Sequence, residues 1–399
     1  MNNIDRFRKF IMNEPIDRVM TYDYLDNTAI LRKYGGYDDS KTYTFEELVA
    51  LNAKAWHNIG VDVTRSVHDP VNHWMAGKVD NWIRFFGTDD KNWTVTQGGE
   101  TAWISKRPFS NLRELEKFLP HEPVYEEVRE WFLPYFTFVQ DCYAEHDVAF
   151  IGCVEGPITD AYTYMGMELF AQAIYDAPEI VSHIMNCTGL YSAHIARVFS
   201  EISKVPLMFM GEDIAGNTGP IFSPEFVRRE GLPRWRWISD PVHEKGMKFL
   251  FHTDGRYGKF LPLIFDEFKA DGLNPIERNG CNDIFEIHAA YPDKFLFGNV
   301  CCMHTLPHGT TADIEDETLE LIEKIAPDRK ILIGSSSEVH EHVPVENAAA
   351  MYRTVHEYGK YPIDIARIQE RRKEIRQSGS LKLRTKQADQ STFPKKETL

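Results

Sequence analysis

The residues with the most chemistry in them form one short run, Phe251-His252-Thr253-Asp254-Gly255. The run ends an apolar stretch with the character of a strand. Side chains alternate along a strand, so His252 and Asp254 point the same way. Gly255 gives the next turn the freedom to bring both inward. Glu212 follows an earlier apolar run, and Glu277 follows a later one. A histidine with carboxylates from neighbouring strands suits Zn²⁺, a borderline ion that accepts nitrogen and oxygen. The expected metal ligands are Glu212, His252 and Glu277, with Asp254 as a further ligand or an orienting group. Without a metal, His252 and Asp254 would be a hydrogen-bonded pair at a strand end. The sequence leaves both readings open.

Other metal-like spacings are weaker. His304 and His308 share a face only on a helix, and Pro307 argues against one. His340 and His342 fall in a Pro-flanked loop. Cys301-Cys302 lacks a Cys-x-x-Cys partner and reads as buried thiol. Asp240-Pro-Val-His243-Glu-Lys-Gly246 is one residue out of register with the Asp-x-His-x-x-Gly signature of corrinoid-binding domains, and it falls within a helical pattern. No Walker loop or Gly-x-Gly-x-x-Gly follows a strand, so nucleotide cofactors are unsupported.

Positioning such residues needs strands that end together. Eight runs have strand character: Val19–Tyr24, Gly60–Val67, Val148–Val154, Leu207–Gly211, Lys248–His252, Gly272–Pro275, Phe295–Val300 and Lys330–Gly334. Amphipathic stretches lie between them, among them Met167–Phe199, Pro224–Lys245, Asp283–Tyr291, Ile314–Ile325 and Val345–Tyr358. Strand–helix alternation implies parallel strands with right-handed crossovers, and eight units favour a closed (β/α)₈ TIM barrel, an α/β fold. Its active site would lie at the C-terminal strand ends, which carry Asp23, Arg65, Glu155, Asn274, Asn299 and Ser335 besides the groups above.

Residues 71–147 break the alternation and read as an insertion after the second strand, with a β-hairpin around Gly98-Gly99 and then a helical stretch. It carries Trp74, Trp82, Trp93 and Trp103, which would either pack on the barrel rim or wall an apolar pocket. The expected division is a barrel over 1–365 and a basic polar tail over 366–399, disordered after about Gln377. The tail holds ten Lys/Arg against four Asp/Glu, so it carries +6 and leaves −21 on the barrel. The net charge of −15 argues against a nucleic-acid binder. No run is long and apolar enough for a membrane span, and the N-terminus has no signal-peptide core. Six cysteines without framework spacing suggest a reducing, cytoplasmic setting. Aromatics reach 13% of the 399 residues, more than packing alone usually uses.

These residues resemble the uroporphyrinogen decarboxylase superfamily, which includes cobalamin-dependent methyltransferases. The resemblance runs through most of residues 1–362. It rests on Asp17-Arg18-Val19, Gly156-Pro157, Gly166-Met-Glu-Leu-Phe170, Gly211-Glu-Asp213 and Gly219-Pro-Ile-Phe-Ser-Pro224. Further along it rests on His252-Thr-Asp-Gly255, Gly272-Leu-Asn-Pro-Ile-Glu277, Gly298-Asn299, Gly334-Ser-Ser-Ser337, Pro344-x-Glu-Asn347, Met351 and Tyr358-Gly-Lys-Tyr-Pro362. It implies a (β/α)₈ barrel. The Arg-Gln-Ala-Gly-Arg run of true decarboxylases is replaced by Tyr22-Asp-Tyr-Leu-Asp-Asn27, and an acidic mouth would repel eight carboxylates. The methyltransferase branch often binds zinc through His-x-Cys and a later Cys. Here His252 matches, Asp254 replaces the first Cys, and Ser335 or Ser336 stands at the second.

A His/carboxylate site is harder and more Lewis acidic than a thiolate site, which suits pulling on an ether oxygen. The resemblance therefore implies a methyltransferase component that moves a methyl group from a methoxylated, aromatic small molecule to a separate corrinoid protein. Asp213 and Asp254 would be the catalytic acid or orienting groups. Asp23, Trp74, Tyr162, Tyr164, Asn299 and Ser335 would line the substrate site. Two rivals stand beside it: a cofactor-free decarboxylase in which Asp213 stabilises a protonated ring, and a non-catalytic ligand-binding barrel. The oligomeric state stays open, a homodimer included.

Overall fold

A computed structural model describes residues 1–383, apart from 73, 89–91, 99–100 and 279. Eight parallel strands make the core: β1 (Met20–Asp23), β2 (Val63–Thr64), β3 (Ala149–Phe150 and Gly152–Glu155), β4 (Leu207–Gly211), β5 (Lys248–His252), β6 (Gly272–Asn274), β7 (Phe295–Phe297) and β8 (Ile331–Ile333). Each strand pairs with its sequence neighbours, and β1 pairs with β8. The ring closes through β3, which is broken at Ile151. Its first piece pairs with β2 and its second with β4, while the Ile151 N–H donates to the Thr64 carbonyl at 2.9 Å. The expected (β/α)₈ barrel is the observed fold, and all eight strand expectations fall on barrel strands.

The strands are short, apolar and buried on both faces, as parallel strands covered by helices must be. Their pairing registers determine which side chains share the barrel mouth. Glu155 faces Gly211, Gly211 faces His252, and His252 faces Asn274. One row of residues thus crosses four strands at their C-terminal ends. At the opposite end the helix Asn3–Ile11 plugs the barrel, with Phe10 packed 5.0 Å from Phe295.

The outer helices follow local signals. Phe45–Ile59 starts with a capping box, Thr44 with Glu47, and Thr311–Lys324 with another, Thr310 with Asp313. Val345–Tyr358 has the expected bounds. The stretch Met167–Phe199 is two helices, Met167–Asp176 and Pro178–Ile202. Pro178 has no N–H to continue the first helix, yet it suits the first turn of the second.

The segment after β2 holds a helix, Trp74–Phe86, then an antiparallel hairpin, Thr94–Gly98 with Thr101–Lys106. The expected turn at Gly98-Gly99 reaches Gly99, which lies outside the described residues. Tyr125–Glu145 packs against Phe45–Ile59 and Pro178–Ile202, so it serves as the crossover helix between β2 and β3. The basic C-terminal segment starts as a helix, Ile365–Gln377. Arg371 pairs with Glu315 at 2.6 Å and Arg372 with Asp316 at 2.9 Å, so the positive segment sits on an acidic helix. The part of the tail from 384 to 399 lies outside the described residues. All six cysteines are unpaired. Among the described residues no helix is long and apolar enough to cross a membrane.

At the junction of β8 and β1 only glycine fits position 334, because an added Cβ would lie 1.7 Å from the Tyr22 carbonyl oxygen. Gly334→Ala is expected to cost on the order of 3 kcal/mol or to prevent folding, measured by thermal or urea unfolding.

Candidate functional site

The row across β3–β6 decides which side chains meet. His252 and Gly211 lie opposite each other, so positions 213 and 254, two residues on, share the inward side. Asp213, His252 and Asp254 accordingly offer ligand atoms that all lie within 4.8 Å of one another. His252 Nε2 is 3.7 Å from Asp213 Oδ1 and 3.7 Å from Asp254 Oδ2. Those separations are too long for direct hydrogen bonds. They approach the roughly 3.3 Å edge of a tetrahedron with 2.0–2.1 Å metal–ligand bonds. Gly255 takes φ +77, the conformation that turns the chain after Asp254.

The tautomer of His252 follows from its neighbours. Asn274 Nδ2 donates to the Phe297 carbonyl at 3.1 Å, which leaves its Oδ1 as an acceptor facing His252 Nδ1 at 3.1 Å. Nδ1 therefore carries the proton, and in the neutral ring the Nε2 lone pair is left for a cation placed between it and the two carboxylates. Burial opposes a charge on His252, but Asp254 and Asp213 outweigh it and raise its pKa. Burial and the charge of Asp254 raise Asp213 to about 6. Burial also pushes Asp254 up, but the charge of His252 holds it below the usual carboxylate range.

Glu212 is not brought to this cluster. One residue beyond Gly211, its side chain turns to the helix side of the barrel. It is fully buried and accepts from the Ile158 N–H at 3.1 Å, the Thr159 N–H at 2.8 Å and the Trp235 indole N–H at 2.7 Å. Glu277 stands beside the cluster, with Oε2 accepting the Gly255 N–H at 2.8 Å. The set gathered by the structure is thus Asp213, His252 and Asp254 rather than Glu212, His252 and Glu277.

The expected substrate residues divide in the same way. Asp23 and Ser335 are buried together: Asp23 accepts from the Ser335 N–H at 3.0 Å and from the Tyr352 hydroxyl at 2.7 Å, locking β1 to β8. Asn299 is buried and donates to the Ile276 carbonyl. Tyr164 is fully buried under the hairpin, with its OH on the Phe118 carbonyl and its ring against Trp82 and Trp93. Tyr162 reaches the site's edge, where its OH donates to the Asp213 carbonyl at 3.3 Å. Trp74 is 47% exposed and walls a cavity of about 990 Å³ beside the mouth.

A family model described as uroporphyrinogen decarboxylase (URO-D) matches residues 95–358. The chain belongs to the uroporphyrinogen decarboxylase family. In this family member the barrel is also similar to a solved methyltransferase from Methanosarcina mazei, at 17% identity and TM-score 0.69. The match covers 90% of this chain and 99% of that one. At that identity the likeness concerns the fold. Weaker likenesses reach a D-psicose 3-epimerase solved in the presence of D-fructose (11% identity, TM-score 0.35, 64% of this chain and 86% of that one) and a β-L-arabinopyranosidase from Geobacillus stearothermophilus (11% identity, TM-score 0.36, 89% and 78%). No curated protein matches the sequence.

Sequence reasoning left several groups of this URO-D family member without a role. Lys78, from the helix after β2, reaches into the mouth to pair with Asp160 at 2.7 Å and lies 4.0 Å from Glu155. Glu338 lies near Asp26 and Asp254, and burial with those charges pushes it up to about 7. The cavity wall takes Trp131, Tyr135 and Phe138 from one helix. Their spacing of four and three residues, on one helix face, was the available signal.

Glu212→Ala would leave three buried N–H donors without an acceptor. It is expected to cost about 3 kcal/mol or more in urea unfolding. Glu212→Gln, where folded, should hold as much zinc as the parent protein on metal analysis. Loss of the metal there would return Glu212 to the ligand set.

Proposed function

We propose that this protein is a methyltransferase component that takes the methyl group of a methoxylated aromatic compound and passes it to a separate corrinoid protein, with Zn²⁺ held by Asp213, His252 and Asp254. The observation that carries the reading is the Nε2 lone pair of His252, fixed by Asn274 and aimed between two carboxylates at 3.7 Å. The residues fit zinc by donor type, spacing and an enforced tautomer. Both carboxylates are about two-fifths exposed, so the cluster faces the open mouth, where a substrate oxygen can approach. Membership of the family and the shared fold with a methyltransferase support the reaction class.

Zinc bound there would supply Lewis acidity at the ether oxygen as the methyl–oxygen bond breaks and its electron pair stays on oxygen. The protein's own groups set the conditions. Asn274 keeps the His252 proton on Nδ1, and the Thr159 hydroxyl accepts from the Asp213 N–H at 2.7 Å and positions that residue. Glu277 pins the turn that carries Asp254. Trp74 walls the cavity beside the mouth, where an aromatic ring would lie, and Tyr162 stands at the Asp213 edge of the cluster. In this reading the corrinoid would be carried by the partner protein. Six unpaired thiols suit a reducing cytoplasm.

A second reading, a cofactor-free decarboxylase, draws on Asp213, a carboxylate at the mouth raised to about 6. The two separate cleanly. Protein purified without chelator is expected to hold about one zinc per chain and to form a phenol from a methoxylated aromatic only with reduced corrinoid protein. His252→Ala should lose the metal and lower turnover by about 100-fold or more. Metal-free protein that releases CO₂ without corrinoid would overturn the proposal in favour of the second reading.

A further inference from the structure

Arg65 follows β2, at the boundary between the barrel mouth and the aromatic cavity. Its guanidinium lies 4.3 Å from the ring centre of Tyr24 and 4.2 Å from that of Phe209. Its Nε donates to the Tyr22 hydroxyl at 3.1 Å, and Nη1 lies 3.8 Å from Cys153 Sγ. Among the described residues no carboxylate comes within 4.0 Å of it. A guanidinium has five N–H donors and never gives up its charge at physiological pH, so one that is largely withdrawn from water, as the half-buried Arg65 is, is ordinarily paired. The other cations of the mouth have partners: Lys78 has Asp160, and His252 lies between Asp213 and Asp254.

We propose that Arg65 is the receptor for a single carboxylate on the small molecule taken by this site, whose aromatic ring lies against the cavity wall. The inference rests on the reading of the mouth as a small-molecule site and names its substrate class, an aromatic monocarboxylate. The flanking rings hold the guanidinium, and with Nε on Tyr22 and one Nη1 hydrogen towards Cys153 the remaining Nη1 and Nη2 hydrogens are left to be met from the cavity that Arg65 lines. A carboxylate is the planar acceptor that fits such a fork in two parallel hydrogen bonds. The cavity, about 990 Å³, is of the size of small-molecule sites. Trp74, Trp131, Tyr135 and Tyr191 supply flat apolar surface. Surrounding negative charge sets the limit on the ligand. Glu155 lines the same cavity, and Asp254 and Glu338 both feel the Arg65 charge. One carboxylate can be met by one guanidinium, whereas several would face these groups unpaired.

The test is binding of benzoate and 4-methoxybenzoate to the full chain, against the uncharged benzamide and 4-methoxybenzamide, by calorimetry and tryptophan fluorescence. The acids are expected to bind at least about 10-fold tighter than the amides, the value of a charge-assisted pair. Arg65→Gln should bring acid and amide within about 2-fold of each other, while Arg65→Lys keeps part of the preference. Near-ultraviolet circular dichroism reports whether each variant is folded. If Arg65→Gln does not fold, the acid–amide comparison on the parent protein decides alone. Equal binding of acid and amide by the parent, binding of neither, or a preference that survives in folded Arg65→Gln would overturn the proposal. Methyl transfer is not read, so its failure with the acid preference intact would count against the proposed reaction and not against Arg65.

Discussion

Hydrogen-bonded register between adjacent strands is the constraint on which the site depends. Because Gly211 pairs with His252 and His252 with Asn274, everything about the mouth follows from counting in twos. Position 213 joins 252 and 254 on the inner side, while 212 turns outward to cap the N-terminus of the helix Pro157–Met165 and meet Trp235. Asn274, one strand further, fixes the proton of His252. A slip of one residue between β4 and β5 would put a structural glutamate in the mouth and bury a reactive aspartate.

The same site shows how a barrel tolerates many acids at one end. Asp213, Asp254, Glu277, Glu338 and Glu155 converge there, and burial together with the neighbouring negative charges raises the proton affinity of Asp213, Glu277 and Glu338. Relief comes from the few cations placed among them. Lys78 arrives from the segment after β2, His252 from the barrel itself, and Arg65 from the rim of the cavity. The long excursion between β2 and β3 therefore contributes more than a cover, since it brings a buried charge and an aromatic wall to the strand ends.

Much of this was legible in the sequence. The barrel was, because eight apolar runs alternating with amphipathic stretches admit few other closed arrangements. The pairing of His252 with Asp254 followed from strand alternation, and the freedom at Gly255 from its residue type. The tryptophans of the excursion were ambiguous, and the structure divides them: Trp82 and Trp93 pack with Tyr164 into a core, whereas Trp74 faces the cavity. The choice between Glu212 and Asp213 was not legible, since adjacent acids at a strand end look alike until the neighbouring strand's register is known. Asp23 and Ser335 likewise looked like mouth residues, but the close approach of β8 to β1 buries them against each other.

The sequence by itself thus determined the architecture, the strand ends that carry the chemistry, and the type of donor each could offer. Those properties are local: they depend on residue type and on periods of two and 3.6. Tertiary structure alone decided which donors meet, which proton His252 keeps, and which cation has no carboxylate within direct reach among the described residues. Those are relations between strands far apart in the chain, set by hydrogen-bond register and packing rather than by any single residue.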